Sequence, residues 1–253
     1  MRLRLGQETD KKPEPNEKND GNDGAMRMQG NAIETSTDVM RLLARHDVDA
    51  AGAADLSRYG KELLGFDEPI LDQYTCAICF GLVISKNVLE TISNGPTLFY
   101  QHHYRQINYR LDMIAYLLAR EIEGKGFKAL PFAASQMVDW QNQKAHVSHK
   151  RMGEIAGIGW IGRNNLLVHP VFGAQVRYNT VLTDMPLEAG EPLETGCGSC
   201  TACMQACPAE AIKAERELFD HKGCFAMLKR FKNERGLGHH ICGICVKACR
   251  GKR

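Results

Sequence analysis

The sequence lacks a long hydrophobic run, an excess of charge of one sign and an export signal. Its longest apolar run, Ala77 to Ile84, has eight residues and includes Gly81, whereas a membrane-spanning helix needs about 20. The first residues, Met1 to Glu8, turn acidic before a hydrophobic segment develops, which argues against a secretory signal. With 32 basic against 30 acidic residues, the charge of +2 implies no particular partner. We therefore expect a cytoplasmic protein without a membrane segment.

Length and apolar content exclude two further classes of protein. A chain of 253 residues that is 43% apolar is too long for a disulfide-stapled miniprotein and too apolar for a wholly disordered chain.

Residues 1–34 are rich in Asn, Asp, Glu, Lys, Gly and Pro, so we expect a disordered arm there. We expect an α/β (α+β) domain over residues 35–191, and a Pro- and Gly-rich linker near Pro192 leads into a cysteine region over residues 192–253.

Hydrophobic periodicity predicts the elements of the central domain. They are a helix carrying Val39, Leu42 and Leu43, a helix from Ala51 to Leu64, a strand from Thr75 to Ile84, a long helix capped by Thr97, a strand from Phe127 to Phe132, a helix from Ser148 to Ala156, and a hairpin of Asn165 to His169 with Arg177 to Thr183.

Ten cysteines are the main chemical signal, and eight of them lie between Cys197 and Cys249. Without an export signal we expect reduced thiols, which favours metal ligation or thiol chemistry over disulfides. The run Cys197-x2-Cys200-x2-Cys203-x3-Cys207-Pro208 matches the bacterial ferredoxin pattern, in which three thiolates bind one cubane and the fourth ligates the other. Pro208 suits the first turn of a helix, which we expect from Ala209 to Glu217.

A second motif, Cys242-x2-Cys245-x3-Cys249, repeats the spacing of the last three cysteines of the first, and Cys224 lies between the two motifs. Crossing the ligands as ferredoxins do predicts two [4Fe-4S] clusters. One would bind to Cys197, Cys200, Cys203 and Cys249, and the other to Cys207, Cys224, Cys242 and Cys245. Two zinc sites are the alternative, although three cysteines at this spacing followed by Cys-Pro are unusual for zinc. His239 is an alternative ligand to Cys224.

The glycine-rich turn is the second feature with a functional reading. Gly157, Gly159 and Gly162 spell G-x-G-x-x-G, which marks a dinucleotide site when a strand precedes it and a helix follows. Here the expected order is helix and then strand. The glycines therefore favour a close approach of the backbone to the cysteine region or to a flat cofactor such as a corrin. With Trp160 and Arg163 they are the predicted cofactor-binding residues.

Three other groups have a functional and a plain structural interpretation. Cys76 and Cys79 could form a redox pair, but in a strand their spacing of three sends them to opposite faces, so buried structural thiols are favoured. Two groups of polar residues could line a cofactor pocket or be ordinary partly buried positions. The first polar group lies in the long helix and comprises Tyr100, His102, His103, Tyr104, Arg105 and Tyr109. The second polar group lies around Ser148 and comprises His146, His149 and Lys150.

The C-terminal segment from Lys222 to Arg253 is strongly basic, with nine Lys or Arg residues against the single acid Glu234. Such a patch could stabilise reduced clusters, dock an acidic electron donor or bind a nucleic-acid backbone. A solvated basic face is the plain alternative.

The sequence resembles the epoxyqueuosine reductase family in three places, and the resemblance covers about Thr75 to Cys249. They are Ala156-Gly157-Ile158-Gly159-Trp160-Ile161-Gly162-Arg163-Asn164-Asn165-Leu166-Leu167, then Leu182-Thr183-Asp184-Met185-Pro186-Leu187, then the two cysteine motifs with Cys224. The resemblance implies a nitroreductase-like, cobalamin-binding domain joined to a ferredoxin-like two-cluster module. It also implies an electron donor of the ferredoxin or flavodoxin type, and a modified nucleoside, tRNA or another small molecule as substrate.

The sequence departs from this family at three points. Where the family has its catalytic aspartate, this chain reads Ala133-Ala134-Ser135, with Asp139 nearby as a substitute. The helical-repeat region that the family uses for tRNA is absent from these 253 residues. Arg250 follows Cys249 where the family has proline. We therefore expect a shortened paralogue with a different or smaller substrate.

Three functions remain open on this sequence. The first is an oxidoreductase that delivers single electrons from two clusters to a substrate or cofactor, such as cobalamin, in the central domain. The second is a ferredoxin-like electron carrier or accessory protein with no catalysis of its own, which the missing acid at Ala134 favours. The third is a cluster-based sensor or a nucleic-acid-modifying protein that uses the basic C-terminus.

Overall fold

The computed structural model describes residues 21–59 and 69–251, and only the backbone of residues 21–31 and 33. Its helices are α1 (Gly21–Arg45), α2 (Lys86–Glu90), α3 (Leu98–Gly124), α4 (His149–Ile155), α5 (Ala202–Ala206), α6 (His221–Glu234) and α7 (Ile244–Ala248). Its strands are β1 (Ala50–Asp55), β2 (Cys76–Val83), β3 (Ala129–Pro131), β4 (Trp160–Ile161), β5 (Leu167–Val168) and β6 (Val176–Thr183). Short 3₁₀ turns lie at Leu56–Arg58, Pro69–Gln73 and Arg216–Leu218. No helix in the described ranges combines the length and apolarity needed to cross a membrane.

A four-stranded sheet of order β1-β2-β6-β3 forms the centre of the molecule, and each neighbouring pair is antiparallel. Strand β2 is buried over its first six residues, as expected of an apolar run with layers on both faces. Ile78 and Phe80 of β2 pack toward α3, in the cluster that contains Leu111 and Leu118. The fold is therefore α+β, in agreement with the mixed class predicted.

The other face of the sheet packs against α4. Ala77 and Cys79 lie in a second apolar cluster together with Met152 and Ile155 of α4. Cys76 and Cys79 are 7% and 0% exposed, and burial raises the pKa of the Cys79 thiol to about 12. Both are therefore buried thiols on opposite strand faces, which confirms the structural interpretation of this pair.

The cysteine region lies directly against the sheet domain. Leu237 and Ile241 belong to the same apolar cluster as α3, and the side-chain nitrogen of Lys247 donates to the carbonyl of Ile92 at 2.7 Å. Within the region, α5 packs on α7. This packing brings the two cysteine motifs together, because Cys203 lies on α5 and Cys245 on α7.

Two of the predicted helices are wrong. Residues 50–55, at the start of the helix expected from Ala51 to Leu64, form strand β1, and residues 60–68 lie outside the described part of the chain. A Cβ on Gly52 would meet the carbonyl oxygen of Ala156 at 2.5 Å, so small residues suit an edge strand here. After Pro208 the chain turns through Glu210, whose φ is +49°, instead of forming the helix expected from Ala209 to Glu217.

Two other expectations change in detail. The hairpin of Asn165 to His169 with Arg177 to Thr183 is wrong, because β5 pairs with β4 while β6 pairs with β2 and β3. Helix α1 begins at Gly21, so the end of the segment assigned to the N-terminal arm is helical, and residues 1–20 lie outside the described residues. The strand, the Thr97-capped helix and the Ser148-capped helix predicted for the core are confirmed.

Candidate functional site

Eight of the ten cysteines converge in the C-terminal region, and all of them are free thiols. Burial raises the pKa of the Cys203 thiol to about 11, and the nearby thiols of Cys249, Cys197 and Cys200 contribute to the rise. Burial also raises the pKa of Cys249, which the thiols of Cys197 and Cys200 raise further. These four cysteines are therefore electrostatic neighbours.

The other four cysteines form a second set. Burial raises the pKa of Cys242 to about 11, with contributions from the thiols of Cys224 and Cys207. Burial raises the pKa of Cys245 well above its ordinary value, and Cys242, Cys224, Cys207 and Cys203 add to that rise. Cys203 also contributes to the shift of Cys245, so the two sets lie next to each other. The assignment of each set as the ligands of one cluster remains a prediction.

The donor set suits metals of the thiophilic kind. Buried thiols would repel one another once ionised, so they lose their protons only when nearby positive charge compensates the negative charge of the thiolates. Thiolates are the ligands that iron–sulfur clusters require. Among the described residues, no group of three or more His, Cys, Asp or Glu side chains has an arrangement that could hold a metal ion. A cubane is ligated at separate iron corners, so its thiolates need not converge on one ion.

The glycine-rich turn lies against the first cysteine set. The indole nitrogen of Trp160 donates to the Cys197 sulfur at 3.5 Å, and a Cβ on Gly162 would lie 3.2 Å from the same sulfur. The guanidinium of Arg163 donates to the carbonyls of Ala214 at 2.6 Å, Cys200 at 2.9 Å and Gly198 at 2.9 Å.

The two remaining glycines of this turn allow close backbone packing. A Cβ on Gly157, which has a φ of +73°, would meet the carbonyl oxygen of Glu191 at 2.5 Å, and one on Gly159 would clash with the carbonyl of Val168. A helix precedes the turn and a strand follows it, as the sequence predicted. The described contacts of the turn are with protein groups, and cofactor binding by its five residues remains a prediction.

A cavity of about 700 Å³ is lined by residues of the sheet, of α4 and of the loop before it, and by Val246 of the cysteine region. None of the five turn residues predicted to bind a cofactor is in its lining. Its lining includes apolar groups of Ala134, Leu167 and Val176 together with polar groups of Lys150 and Arg177. A smaller space of about 300 Å³ adjoins Cys207, Cys224, Cys242 and Cys245. The two spaces are adjacent, because five residues line both of them: Tyr100, Lys150, Leu166, Arg177 and Val246. The second cysteine set borders the smaller space and not the cavity itself.

Position 134, where the related family has an acid, lies in the cavity wall. Ala134 is 4% exposed, its amide donates to the Asp112 carboxylate at 2.7 Å, and its carbonyl accepts from Arg177 at 3.0 Å. Asp139, expected as a substitute, lies in an exposed turn outside the cavity lining. There its carboxylate accepts hydrogen bonds from Asn142, which lower its pKa.

Tyr104 places a hydroxyl near this position. Its hydroxyl lies 3.0 Å from the Ser135 hydroxyl, and the Arg177 guanidinium lies 4.4 Å from the centre of its ring. Burial opposes ionisation of Tyr104, but Arg177 and two hydrogen-bond partners outweigh it and lower the pKa of the phenol. Of the polar helix residues singled out, Tyr100 and Tyr104 therefore border the spaces near the cysteines.

The second polar group also lies at the cavity. The His149 ring contacts the Thr180 hydroxyl at 2.9 Å and the Ala133 carbonyl at 3.1 Å, and burial lowers its pKa to about 4. Lys150 donates to the Asn165 carbonyl at 2.8 Å, and burial lowers its pKa while the Cys224 thiol opposes the shift. His103, by contrast, accepts from the Ser85 amide outside the cavity.

Sequence reasoning missed two polar residues near the cavity that contact residues far away along the chain. Arg177 lies in β6 and reaches Asn108, Ala134 and Tyr104. Asn165 contacts the His221 ring at 2.7 Å. Their partners are far apart along the chain, so no local pattern in the sequence marks them.

Curated relatives show which proteins this chain is similar to. It is 34% identical over 111 residues to an epoxyqueuosine reductase of Bacillus anthracis, a match that covers 41% of this chain and 29% of the relative. It is 31% identical over 157 residues to that of Synechococcus sp. strain CC9605, which covers 58% of this chain and 45% of the relative. These matches confirm the resemblance predicted, and the chain spans less than half the length of either relative. No family model matches the chain.

Solved structures agree with these relatives at the level of the fold. A reductive dehalogenase in complex with 3-bromo-4-hydroxybenzoic acid matches with a TM-score of 0.66 and 19% identity, over 83% of this chain and 31% of that one. An epoxyqueuosine reductase with an epoxyqueuosine-modified tRNA-Tyr stem loop matches with a TM-score of 0.57 and 22% identity, over 87% and 65%. A dehalogenase structure that suggests a mechanism for B12-dependent dehalogenation matches with a TM-score of 0.58 and 20% identity, over 70% and 25%.

Proposed function

We propose that this chain, similar to the epoxyqueuosine reductases, is an iron–sulfur reductase that delivers single electrons to a ligand in the cavity beside Ala134. The observation that supports this most is the second set of four thiols, which borders a space of about 300 Å³ that shares five lining residues with the cavity of about 700 Å³. An electron carrier does not need a cavity of this size so near its cysteines, whereas an enzyme that transfers electrons to a bound molecule does.

Each cysteine set would hold one [4Fe-4S] cluster. Cys197, Cys200, Cys203 and Cys249 are the ligands proposed for one, and Cys207, Cys224, Cys242 and Cys245 for the other. When bound, such clusters supply single electrons at potentials set by the hydrogen bonds, charge and exposure around the sulfurs. The chain provides an indole N–H to Cys197 and a buried ammonium, Lys150, near Cys224. Both groups favour negative charge on the neighbouring sulfurs.

The cavity is the place proposed for the second cofactor or the substrate. Cobalamin is the cofactor that the resemblance implies, and the name of one matched dehalogenase structure refers to B12. The apolar wall formed by Leu167, Val176 and Val246 suits a flat, largely apolar ring, while Arg177 and Lys150 offer donors to its polar groups. Cobalamin would supply a metal-centred nucleophile or one-electron reductant next to the substrate.

The proposed substrate is a small organic molecule, of which a modified nucleoside is one kind. The Ala134 wall offers no carboxylic acid to protonate a bound ligand, so epoxyqueuosine itself is disfavoured. An electron donor of the ferredoxin or flavodoxin type would be drawn to the basic segment between Lys222 and Lys247. tRNA binding would rest on the same positive charge and weaken steeply with salt.

A ferredoxin-like electron carrier is the second candidate, because position 134 lacks the acid that the related enzymes carry. The two candidates differ in what the cavity holds. Anaerobically prepared protein should contain iron and acid-labile sulfide in equal amounts and should bind added cobalamin, with a shift of the corrin absorption bands. Clusters without cobalamin binding would favour the carrier. Zinc in stoichiometric amount without acid-labile sulfide would exclude both.

A matched pair of variants ties cobalamin binding to the cavity. Val176→Trp fills the apolar wall and should abolish the corrin shift while the iron content stays unchanged. Val48→Trp, at a half-buried position that packs against the cluster on the other face of the sheet and lies outside the cavity lining, is the control. Equal corrin binding by both variants would contradict the placement of the cofactor in this cavity.

A further inference from the structure

The walls of the cavity of about 700 Å³ carry charge of one sign only. Among its described lining residues, four are Lys or Arg and none is Asp or Glu. The four basic residues are Lys144, Lys150, Arg151 and Arg177. A cleft lined by charge of one sign focuses its field and concentrates ligands of the opposite sign. The charge of these walls therefore favours an anionic ligand.

Two of these four charges need no ligand. Arg151 forms an ion pair with Glu154, and Lys144 is exposed to solvent. Lys150 and Arg177 are half-buried, and no ion pair among the described residues includes either of them. A charge that is partly removed from water is costly unless an opposite charge compensates it.

The charge of Lys150 is directed toward the cysteine region. Its ammonium donates to the carbonyl and to the Oδ1 of Asn165 at 2.8 and 3.1 Å. Burial lowers its pKa and the Cys224 thiol opposes that shift, so the ammonium and this thiol are electrostatic neighbours. Arg177 is therefore the half-buried cation of the cavity for which the described residues supply no negative charge within ion-pair distance.

The Arg177 guanidinium is fixed in position with one nitrogen left free. Its Nε and Nη2 donate to the side-chain oxygen of Asn108 at 3.2 and 3.1 Å, and Nη2 also donates to the Ala134 carbonyl at 3.0 Å. Its central carbon lies 4.4 Å from the centre of the Tyr104 ring. The third nitrogen, Nη1, donates to no described residue and is not buried. A guanidinium held in this way is preorganised to bind an oxyanion.

We propose that the cavity is an oxyanion site, in which Nη1 of Arg177 binds the carboxylate or phosphate group of the ligand. The apolar side chains of Leu167 and Val176 in the same lining fit an organic body next to that group. The inference deepens the proposed function, and it rests on that function for the statement that the bound anion belongs to the substrate or the cofactor. Binding of the anion itself requires no electron transfer and can be measured separately.

Three small probes added to the anaerobically prepared, cluster-loaded chain test the charge requirement. Benzoate and benzamide have nearly the same shape and differ in charge, and phenyl phosphate carries the other oxyanion. At constant ionic strength, benzoate or phenyl phosphate should bind at least about tenfold more tightly than benzamide, because hydrogen bonds to a charged group are the stronger ones. The more tightly bound of the two anions identifies the oxyanion that the site prefers.

Equal binding of all three probes, or binding of neither anion by protein with its full iron content, would overturn the oxyanion site and leave the proposed function standing. Stoichiometric zinc without acid-labile sulfide would instead overturn the proposed function, even where the anions bind. The two failures are therefore distinguishable in one preparation.

Variants of Arg177 tie the anion to this guanidinium. Arg177→Gln should weaken binding of the preferred anion about tenfold or more and leave benzamide binding unchanged, and Arg177→Lys, which keeps the charge without the planar fork, should lie between. Arg110→Gln, at an exposed arginine outside the cavity lining, should bind both probes as the wild type does. Unchanged anion affinity in Arg177→Gln with a wild-type circular dichroism spectrum would overturn the proposal. The comparison of probes on the wild-type chain depends on no variant.

A comparison of two corrins identifies the source of the oxyanion. Cobalamin carries a phosphodiester, whereas cobinamide lacks the nucleotide loop that contains it. If the cofactor supplies the oxyanion, cobalamin should bind at least about tenfold more tightly than cobinamide to the wild-type chain, and Arg177→Gln should remove that difference. If the substrate supplies it, the two corrins should respond equally to Arg177→Gln, and only the anionic probes should lose affinity.

Discussion

The sheet domain and the cysteine region are held together by different forces. In the sheet domain, long side chains such as Leu111, Ile114 and Leu118 are fully buried between α3 and β2. Between residues 197 and 251 the buried apolar positions are few, and two of them, Leu237 and Ile241, pack into the core of the sheet domain. The first region folds by burying apolar surface. The second has few buried apolar residues of its own and docks against the core of the first.

The largest effect should come from removing one ligand of the second cysteine set. Cys245→Ser should release about half of the iron and lower amide protection in α6 and α7, because metal ligation and local folding are coupled. Protection in β2 and β6 should persist, since their contacts do not involve the clusters. Hydrogen exchange and iron quantification on anaerobic protein measure both effects.

Cys79→Ser is the control for this experiment, because Cys79 is fully buried in the sheet domain and belongs to neither cysteine set. It should retain all of the iron. Equal iron loss from the two serine variants would contradict this prediction. A rise in hydrogen exchange throughout the molecule in Cys245→Ser would also contradict it, because the fold of the sheet domain would then depend on Cys245 as well.

A substitution that creates a cavity in the core of the sheet domain should have the next largest effect on stability. Leu118 is 0% exposed, and its replacement by Ala should lower the free energy of unfolding by about 3–4 kcal/mol. Leu218→Ala, at a residue 61% exposed in the cysteine region, should cost below about 1 kcal/mol. Urea unfolding followed by far-ultraviolet circular dichroism compares them. Equal losses would show that burial does not distinguish the regions.

Acidification should weaken the sheet domain through His149. The pKa of this buried ring is lowered to about 4, against about 6.5 in an unfolded chain. Below pH 6.5 the unfolded state takes up a proton that the folded state does not, so stability falls as the pH drops toward 4. Between pH 7 and pH 5 the loss from this group should be about 2 kcal/mol.

The variant His149→Gln isolates this contribution. It cannot titrate, so its unfolding free energy should change less with pH than that of the wild-type chain, by about the same 2 kcal/mol. The comparison uses urea titrations of both proteins at pH 7 and pH 5. If the unfolding free energies of the two proteins changed equally with pH, the folded state would not hold the His149 ring in its neutral form.

The difference between the sheet domain and the cysteine region also explains which structural features can be predicted from the sequence. The β2 run and the α3 periodicity predict their elements because burial repeats along the chain. The cysteine spacing predicts two ligand sets, and this assignment stays a prediction. The helix expected from Ala51 to Leu64 is wrong over residues 51–55, where pairing with β2 and the close approach of Gly52 to Ala156 place the chain in a strand. The Arg177 and Asn165 contacts join distant segments, so no local pattern contains them.

The smallest effect on stability is expected at the boundary between the sheet domain and the cysteine region. Arg163 holds three carbonyls of the cysteine region from within the sheet domain. Lysine keeps the charge but cannot present three N–H groups in a planar fork, so Arg163→Lys should cost about 1–2 kcal/mol after allowance for partial exposure.

That loss should stay local, because the Arg163 guanidinium donates to three backbone carbonyls of the cysteine region. Hydrogen exchange should rise at residues 198–200 and not in β2, and iron should be released faster to a chelator. Arg41→Lys, in an exposed ion pair with Asp38 at 2.9 Å, should change neither quantity, since such pairs contribute little. If Arg163→Lys loosened the sheet as much as the cysteine loop, docking would be part of the core fold and the two regions would be one cooperative unit.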